Sequence, residues 1–311
     1  MNTNHGNRPS NETTDYTRRK FISTISLATG AAAFLGTPVN LLASAKSPET
    51  WTVGKVMDLF IAGVPGAPFA KTVDTLKTGD RDIEITGIVT TMFANLAVIN
   101  QAIALKANFI IAHEPTFYNH LDETDWLKND DVYEYKAALL KKHNIAVWRN
   151  HDYIHSLKED GVMKGVVKQL GWDKSSLPGN DHLFNRPATT LKQLINEVKQ
   201  RLGIATVRYI GSPAQSCSRV LLMPGAAGGK AQIGAIGRTK PDVILCGEIS
   251  EWETAEYVRD AHIKGDKLSL VLLGHIASEE PGSEFMKGWI KENVPGVPVT
   301  HVPAGSSLSF M

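Results

Sequence analysis

Cysteine is scarce in this chain: Cys217 and Cys246 are the only two among 311 residues, and they share no C-x-x-C spacing. That excludes a disulfide-stapled scaffold and a zinc site built on paired thiolates. A bridge between the two, which fall on separate predicted elements, is not expected. An excess of charge of one sign is lacking as well, with 33 Lys and Arg against 32 Asp and Glu. Without a basic patch, nucleic acid is not an expected partner. No apolar run reaches the roughly 18 uninterrupted residues that a stable membrane span needs, and no period of solenoid type recurs. What remains is an ordinary globular composition, 42% hydrophobic and 21% charged, long enough to bury a sizeable core and to divide into two lobes.

The first 45 residues read as a leader. Thr17-Arg18-Arg19-Lys20-Phe21-Ile22 precedes a mildly apolar stretch broken by Gly30, Gly36, Pro38 and Asn40, and Ala43-Ser44-Ala45 offers an A-x-A cleavage site. This is the pattern of a twin-arginine export signal, so a periplasmic or exported protein without a stable membrane anchor is expected. Four cations against two acids leave the leader at +2 and the remainder at about −1. Twin-arginine export carries folded proteins, which fits a cofactor inserted before export.

Downstream, apolar periodicity predicts an amphipathic helix over 50–66, a strand over 85–92, a helix over 95–106 and a buried strand over 109–112. A helix over 133–143, a strand over 145–148 and a helix over 161–170 follow. Residues 174–185, with Pro178 and Gly179, read as a polar loop and as the boundary between lobes at 48–180 and 181–311. Beyond it the same grammar returns: helices over 191–202, 231–237 and 252–264, and strands over 206–210, 219–223, 243–246 and 268–273. The expected fold class is α/β, two lobes with mixed, substantially parallel sheets flanked by helices.

Chemistry gathers where strands end. The run Phe109-Ile110-Ile111-Ala112 stops abruptly at His113-Glu114-Pro115. The strand Ile145-Ala146-Val147-Trp148 runs into Arg149-Asn150-His151-Asp152-Tyr153-Ile154-His155, and Leu272-Leu273-Gly274 into His275-Ile276-Ala277-Ser278-Glu279-Glu280. Ser278 is the expected N-cap of a helix with Glu279 and Glu280 in its first turn. One sheet could bring His113, Glu114, His151, His155, His275 and Glu279 together. Imidazoles and carboxylates in that proportion suit divalent transition metals (Zn, Mn, Fe, Ni or Co), two of which ~3.5–4 Å apart can share a bridging ligand. Six candidate ligands exceed one tetrahedral site, so two ions are expected. Gly225-Ala226-Ala227-Gly228-Gly229-Lys230 is one residue short of a phosphate loop and lacks the Ser or Thr after the lysine, so it reads as a tight strand-to-helix turn.

These stretches resemble the dinuclear-metal family named for NGG-one-interacting factor three, also called GTP cyclohydrolase type 2 homologues. Its members carry a strand-terminal His-His-Pro, a His-Thr-Asn-x-Asp after a following strand and a Gly-His-x-x-x-Glu near the carboxyl end. The corresponding stretches are Ala112-His113-Glu114-Pro115, His151-Asp152-Tyr153-Ile154-His155 and Gly274-His275-Ile276-Ala277-Ser278-Glu279, and the resemblance spans most of 84–281. Two positions depart from the pattern: Glu114 stands where the family has its second histidine, and His155 where it has an aspartate. Asp152 is an alternative source of the missing carboxylate. Gly247-Glu248 is similar to a turn that lines the family's cavity, and Trp252 falls on a family histidine.

The resemblance implies that the metal site lies between the two lobes and that the chain forms a ring-shaped homo-hexamer. The expected activity is that of a metal-dependent hydrolase or cyclohydrolase acting on a small molecule, with Glu114 or Glu248 moving the proton. The alternative is a non-catalytic metal-binding or assembly protein. The cyclohydrolase label is not carried over as an activity, because an exported protein would not serve cytoplasmic folate synthesis.

Overall fold

The computed structural model describes residues 50–177, 180–309 and 311. The twin-arginine leader expected over 1–45 lies outside the described residues. Helix α1, Val53–Ala62, is capped by Thr52, whose hydroxyl accepts from Lys55 N at 3.3 Å, and it buries Val53, Val56, Met57 and Phe60 at helical spacing. Strands β1, Leu76–Thr78, and β2, Ile88–Thr91, lead to α2, Leu96–Ala104, which Asn95 caps through Val98 N. The chain continues through β3, Phe109–Ala112, α3, Asp131–Lys142, β4, Ala146–Arg149, the short α4, Asp152–His155, and α5, Gly161–Leu170.

Its second half runs through β5, Ser176–Leu177, β6, Asn180–Thr190, α6, Leu191–Leu202, β7, Arg208–Ile210, β8, Ser216–Met223, α7, Gly229–Thr239, and β9, Val243–Cys246. A π-helical turn over Glu251–Ala255 then opens α8, Glu256–Ile263. Strand β10, Ser269–Leu272, α9, His275–Asn293, and β11, Val299–His301, complete it. No described helix is long and apolar enough to cross a membrane.

Two mixed sheets organise these elements. The first has the order β1-β4-β3-β2-β11, parallel from β4 to β11 with β1 antiparallel on its edge. The second has the order β5-β6-β8-β9-β10-β7, in which β8, β9 and β10 are parallel and both flanks antiparallel. The expected α/β class with mixed, helix-flanked sheets is therefore the observed one. Strand β3 shows why its sequence is apolar throughout. Phe109 and Ile111 face a core shared with Trp148, Val220, Val243 and Val271, while Ile110 and Ala112 face another packed against α2. A strand covered on both faces needs no polar alternation, and burying each large side chain there contributes roughly 1.5–3 kcal/mol.

Two expectations are corrected. Residues 174–185 are not a polar loop, because β5 and β6 pair there and β6 runs antiparallel to β8 with Leu183 and Phe184 buried. Pro187 is accommodated where the β6–β8 register shifts, between Asn185 and Thr189, since a proline has no N–H to give to a ladder. Ser278 is not an N-cap either. Gly274, at φ +88°, turns β10 directly into α9, which begins at His275. The Ser278 hydroxyl instead donates to His275 O at 2.8 Å and accepts from Gly225 N at 3.0 Å.

Candidate metal centre

Two parallel strand ends and the start of one helix build the site. The ladder continues past β3, with His113 N donating to Thr91 O at 3.1 Å and Glu114 N to Met92 O at 2.9 Å. Both candidate ligands therefore stand on backbone as fixed as the strand, and Pro115 ends the run. Strand β4 pairs Arg149 with Ala112, and Asn150 N donates to Ala112 O at 2.9 Å. Next to it the His151 turn is pinned from a distant segment. The Asp74 carboxylate accepts from His151 N at 2.8 Å, Asp152 N at 3.0 Å and Tyr153 N at 2.7 Å. Because α9 starts at His275, His275 and Glu279 are one turn apart on the same face, and His275 Nε2 lies 3.0 Å from Glu279 Oε2.

The structure brings all six predicted ligands together. One donor atom from each of His113, His151 and His155 lies within 4.8 Å of the others, and the same holds for His113, Glu114 and Glu279. The His113 and His151 rings stack with centroids 4.8 Å apart, and His155 stands edge-on at 5.1 and 5.0 Å. His275 Nε2 joins through Glu114 Oε1 at 3.2 Å.

Each imidazole is tied at its outer nitrogen. His113 Nδ1 donates to Asn150 O at 3.2 Å, His151 Nδ1 to Asp152 Oδ1 at 2.9 Å and His155 Nδ1 to Asp160 Oδ2 at 2.8 Å, and His275 Nδ1 lies 3.3 Å from Glu248 Oε1. Such partners fix the tautomer and leave Nε2 as the ligand atom. His113 Nε2 is buried with no hydrogen-bond partner. An orphaned imidazole nitrogen beside two carboxylates and two more imidazoles fits a metal ion.

The alternative donor Asp152 is otherwise engaged, its second oxygen accepting from Thr72 Oγ1 at 2.8 Å and Val73 N at 3.2 Å. Glu248 is exposed, is not among the residues lining the cavity, and meets His275 Nδ1 from outside it at 3.3 Å. Trp252, 80% exposed, stands outside the cavity. The glycine-rich turn presents space, not phosphate ligands: a Cβ on Gly225 (φ +67°) would lie 2.1 Å from Glu279 Oε1, and one on Gly247 2.5 Å from Gly225 O.

Charges in the cluster oppose one another. Burial works against the imidazolium of His275, but hydrogen bonds and charges from Glu114 and Glu279 outweigh it and raise the group to about 10. Burial together with the His113 charge lowers His151 to about 4 despite its bond to Asp152. Burial opposes ionisation of Glu279, yet the His113 ring, whose Nε2 lies 3.5 Å from Oε2, and the hydrogen-bonded His275 hold its carboxyl well below the usual range. Glu114 is lowered in the same way, its burial outweighed by the hydrogen bond to His275 and by the charges of three imidazoles. It is also gripped by Arg149, fully buried, whose Nη2 lies 3.0 Å from Glu114 Oε2. The same guanidinium donates from Nε to His113 O at 3.3 Å and from Nη1 to His120 O, and its Nη1 lies 3.7 Å from Asp122 Oδ2.

Arg149, Asp74 and Asp160 are the supporting residues that the sequence reading missed. Asp160 carried the one available signal, an aspartate before Gly161 at a helix start, and it caps Val162 N and Met163 N at 2.8 and 3.0 Å.

Comparisons with known proteins place the chain. The family model described as Duf34/NIF3 (NGG1p interacting factor 3) matches residues 72–304. This range opens at the segment that pins the His151 turn and contains all six candidate ligands. A Clostridium acetobutylicum protein named GTP cyclohydrolase 1 type 2 homolog is 25% identical over 222 residues, covering 68% of this chain and 78% of its own. A Clostridium perfringens protein of the same name is 24% identical over 216 residues, covering 66% and 78%. Among solved structures, a Staphylococcus aureus hypothetical protein superposes with a TM-score of 0.69 at 19% identity, covering 85% of this chain and 100% of that one. A Bacillus cereus protein described as related to NIF3 gives 0.66 at 16% identity, covering 85% and 99%. At these identities the structures speak for the fold alone.

Proposed function

We propose that this chain, which belongs to the Duf34/NIF3 family, holds two divalent transition-metal ions among His113, Glu114, His151, His155, His275 and Glu279 and hydrolyses a small molecule there. The observation that carries the reading is the set of four imidazoles, each met at Nδ1 by an oxygen, one of which, His113, keeps a buried Nε2 without a hydrogen-bond partner. When bound, such ions would supply Lewis acidity and lower the pKa of water toward ~7.

The chain's own residues do the rest. Arg149 takes one oxygen of Glu114, leaving Oε1 toward His275 and His151, at 3.2 and 3.8 Å. A carboxylate held that way is a weak base and serves as a ligand. Glu248, in contact with solvent and 3.3 Å from His275 Nδ1, is the better placed of the two predicted acids to pass a proton from His275 to solvent.

Elemental analysis of protein purified without chelator tests the reading, followed by a hydrolase panel with and without chelator. About two ions per chain are expected, and none would overturn it. His275→Ala and Glu279→Ala should each lose metal while remaining folded. Glu280→Ala should keep it, because the Glu280 carboxylate faces Ala304 N at 3.0 Å and His301 at 3.3 Å instead. Export and assembly belong to the same proposal. Replacing Arg18 and Arg19 by Lys should strand the precursor in the cytoplasm, and light scattering of the mature protein should report a hexamer.

A further inference from the structure

The cavity that opens on the cluster has a volume of about 820 Å3 and holds, in the wall beyond Glu114, a buried cation with no assigned role. Lys136 reaches this wall from α3 and is 3% exposed. Its ammonium donates to Thr116 O at 2.5 Å and lies 5.7 and 5.2 Å from the ring centroids of Phe117 and Tyr118. Among the described residues it forms no ion pair. The acid that acts on it through space, Asp122, is spent on Lys77 at 3.2 Å and Arg149 at 3.7 Å. A lysine ammonium has three donors and one is used here. Beside it, Thr116 Oγ1 is buried without a hydrogen-bond partner and lines the same cavity.

A cation removed from water without a counter-charge is unfavourable, and the two aromatic faces offset only part of that. Burial draws the Lys136 ammonium down to about 8 against the charge of Asp122, so it is still mainly protonated at neutral pH. An unpaired charge and an unpaired hydroxyl on one cavity wall are independent signs of the same missing partner.

We propose that Lys136 and Thr116 form a subsite for an anionic group, a carboxylate or a phosphate, on the small molecule that this cavity admits. The inference rests on reading the cavity as a substrate site, and it names the charge that the substrate carries away from the cluster. Phe93, Pro115, Met163, Met223 and Ile276 make other parts of the wall apolar, so the anion belongs to a molecule with an apolar body.

Calorimetry on the metal-loaded full chain tests this with benzoate, phenyl phosphate and uncharged benzyl alcohol. Wild type should bind at least one of the two anions about tenfold or more tightly than Lys136→Met does, as removal of a desolvated charge partner predicts. Benzyl alcohol should bind both proteins alike. Which anion shows the difference separates carboxylate from phosphate. Ions in the cluster attract anions equally in both proteins, so the difference isolates Lys136.

Thr116→Val keeps the amine and the carbonyl that it bonds. It should weaken the same anion by about threefold or more, which keeps the test open if Lys136→Met does not fold. Equal anion affinity in wild type and both variants, or none in wild type, overturns the proposal. Repeating the titration on metal-free protein separates the two readings. A chain found to bind no metal would sink the hydrolase, whereas a Lys136-dependent anion there would leave the subsite standing.

Discussion

The two sheets meet the same structural demand with opposite chemistry at their strand ends. In the first, β3 and β4 run parallel and fully buried into His113-Glu114 and Arg149-Asn150-His151. In the second, β8, β9 and β10 run parallel into turns carrying Gly225, Gly247 and Gly274. One sheet supplies donors and the other supplies room. The second sheet's turns are knitted to one another by backbone, Gly247 N to Met223 O at 3.2 Å, Glu248 N to Gly225 O at 2.8 Å and Gly274 N to Gly247 O at 3.1 Å, with the Ser278 hydroxyl and the Gln232 amide as side-chain ties. Helix α9 joins the two. It leaves β10, sets His275 and Glu279 against the first sheet's ligands, and accepts the Thr90 hydroxyl at Ser283 O, 2.8 Å away. A site of this kind needs close approach on one side as much as ligands on the other.

The strongest way to break the contrast is on the first sheet. Arg149→Met leaves Glu114 and Asp122 buried without their guanidinium, and breaking a buried pair from one side costs about 3–5 kcal/mol. A denaturant melt should show a loss of that size. A loss below about 1 kcal/mol would mean that the 113–122 turn holds its shape without Arg149.

The second sheet predicts a smaller and more selective effect. Gly225→Ala and Gly203→Ala both force a side chain onto a left-handed residue, at φ +67° and +69°, and each should lose about 1 kcal/mol or more of stability. Only the first also drives a methyl into Glu279, since nothing lies within 4 Å of the position a Cβ would take at Gly203. Metal affinity should fall ~10–100-fold for Gly225→Ala and stay unchanged for Gly203→Ala. Equal affinities in a competition titration would show that the turn's close approach does not position Glu279.

Donor chemistry was legible in the sequence because a polar residue straight after an apolar run stands out, as His113 does after Phe109-Ile110-Ile111-Ala112. The order of helices and strands was legible for the same reason, since each core strand carries a short apolar run, as in Phe109–Ala112 and Val243–Cys246. Residues 174–185 were misread because Pro and Gly there mimic a loop, while the partner that makes β6 a strand, β8, lies more than thirty residues on. Asp74 was invisible for a similar reason: it sits 77 residues from the His151 N–H it accepts, with no local pattern to mark it. The start of α9 was missed because a Ser before two acids has the look of a cap, whereas the left-handed Gly274 starts the helix four residues earlier. Local propensity reads elements, but it does not read what a tertiary neighbour needs from a glycine or a carboxylate.

The subtlest expected effect is a count of protons. Without metal, His275 lies between Glu114 Oε1 at 3.2 Å and Glu279 Oε2 at 3.0 Å. These carboxylates, against the effect of burial, raise its imidazolium to about 10. His151, lowered to about 4 by burial and the His113 charge, is already neutral at pH 7.5. The sign follows from these positions. Between the ordinary histidine range and pH about 10 the folded metal-free chain carries a proton on His275 that a bound ion must displace, so metal affinity should rise with pH over that window. His151 should release nothing above about pH 5, which is already beyond its own transition. Titrating the metal-free protein with zinc at pH 7.5, in two buffers of different ionisation enthalpy, should therefore show about one proton released at His275, in addition to what His155 gives up, since Asp160 outweighs burial there and raises it above the ordinary histidine value. Glu279→Gln, which removes one of the two anionic partners of His275, should lower the total. Release that is the same in wild type and Glu279→Gln would place the displaced proton elsewhere in the cluster and detach His275 from the carboxylates that α9 sets beside it.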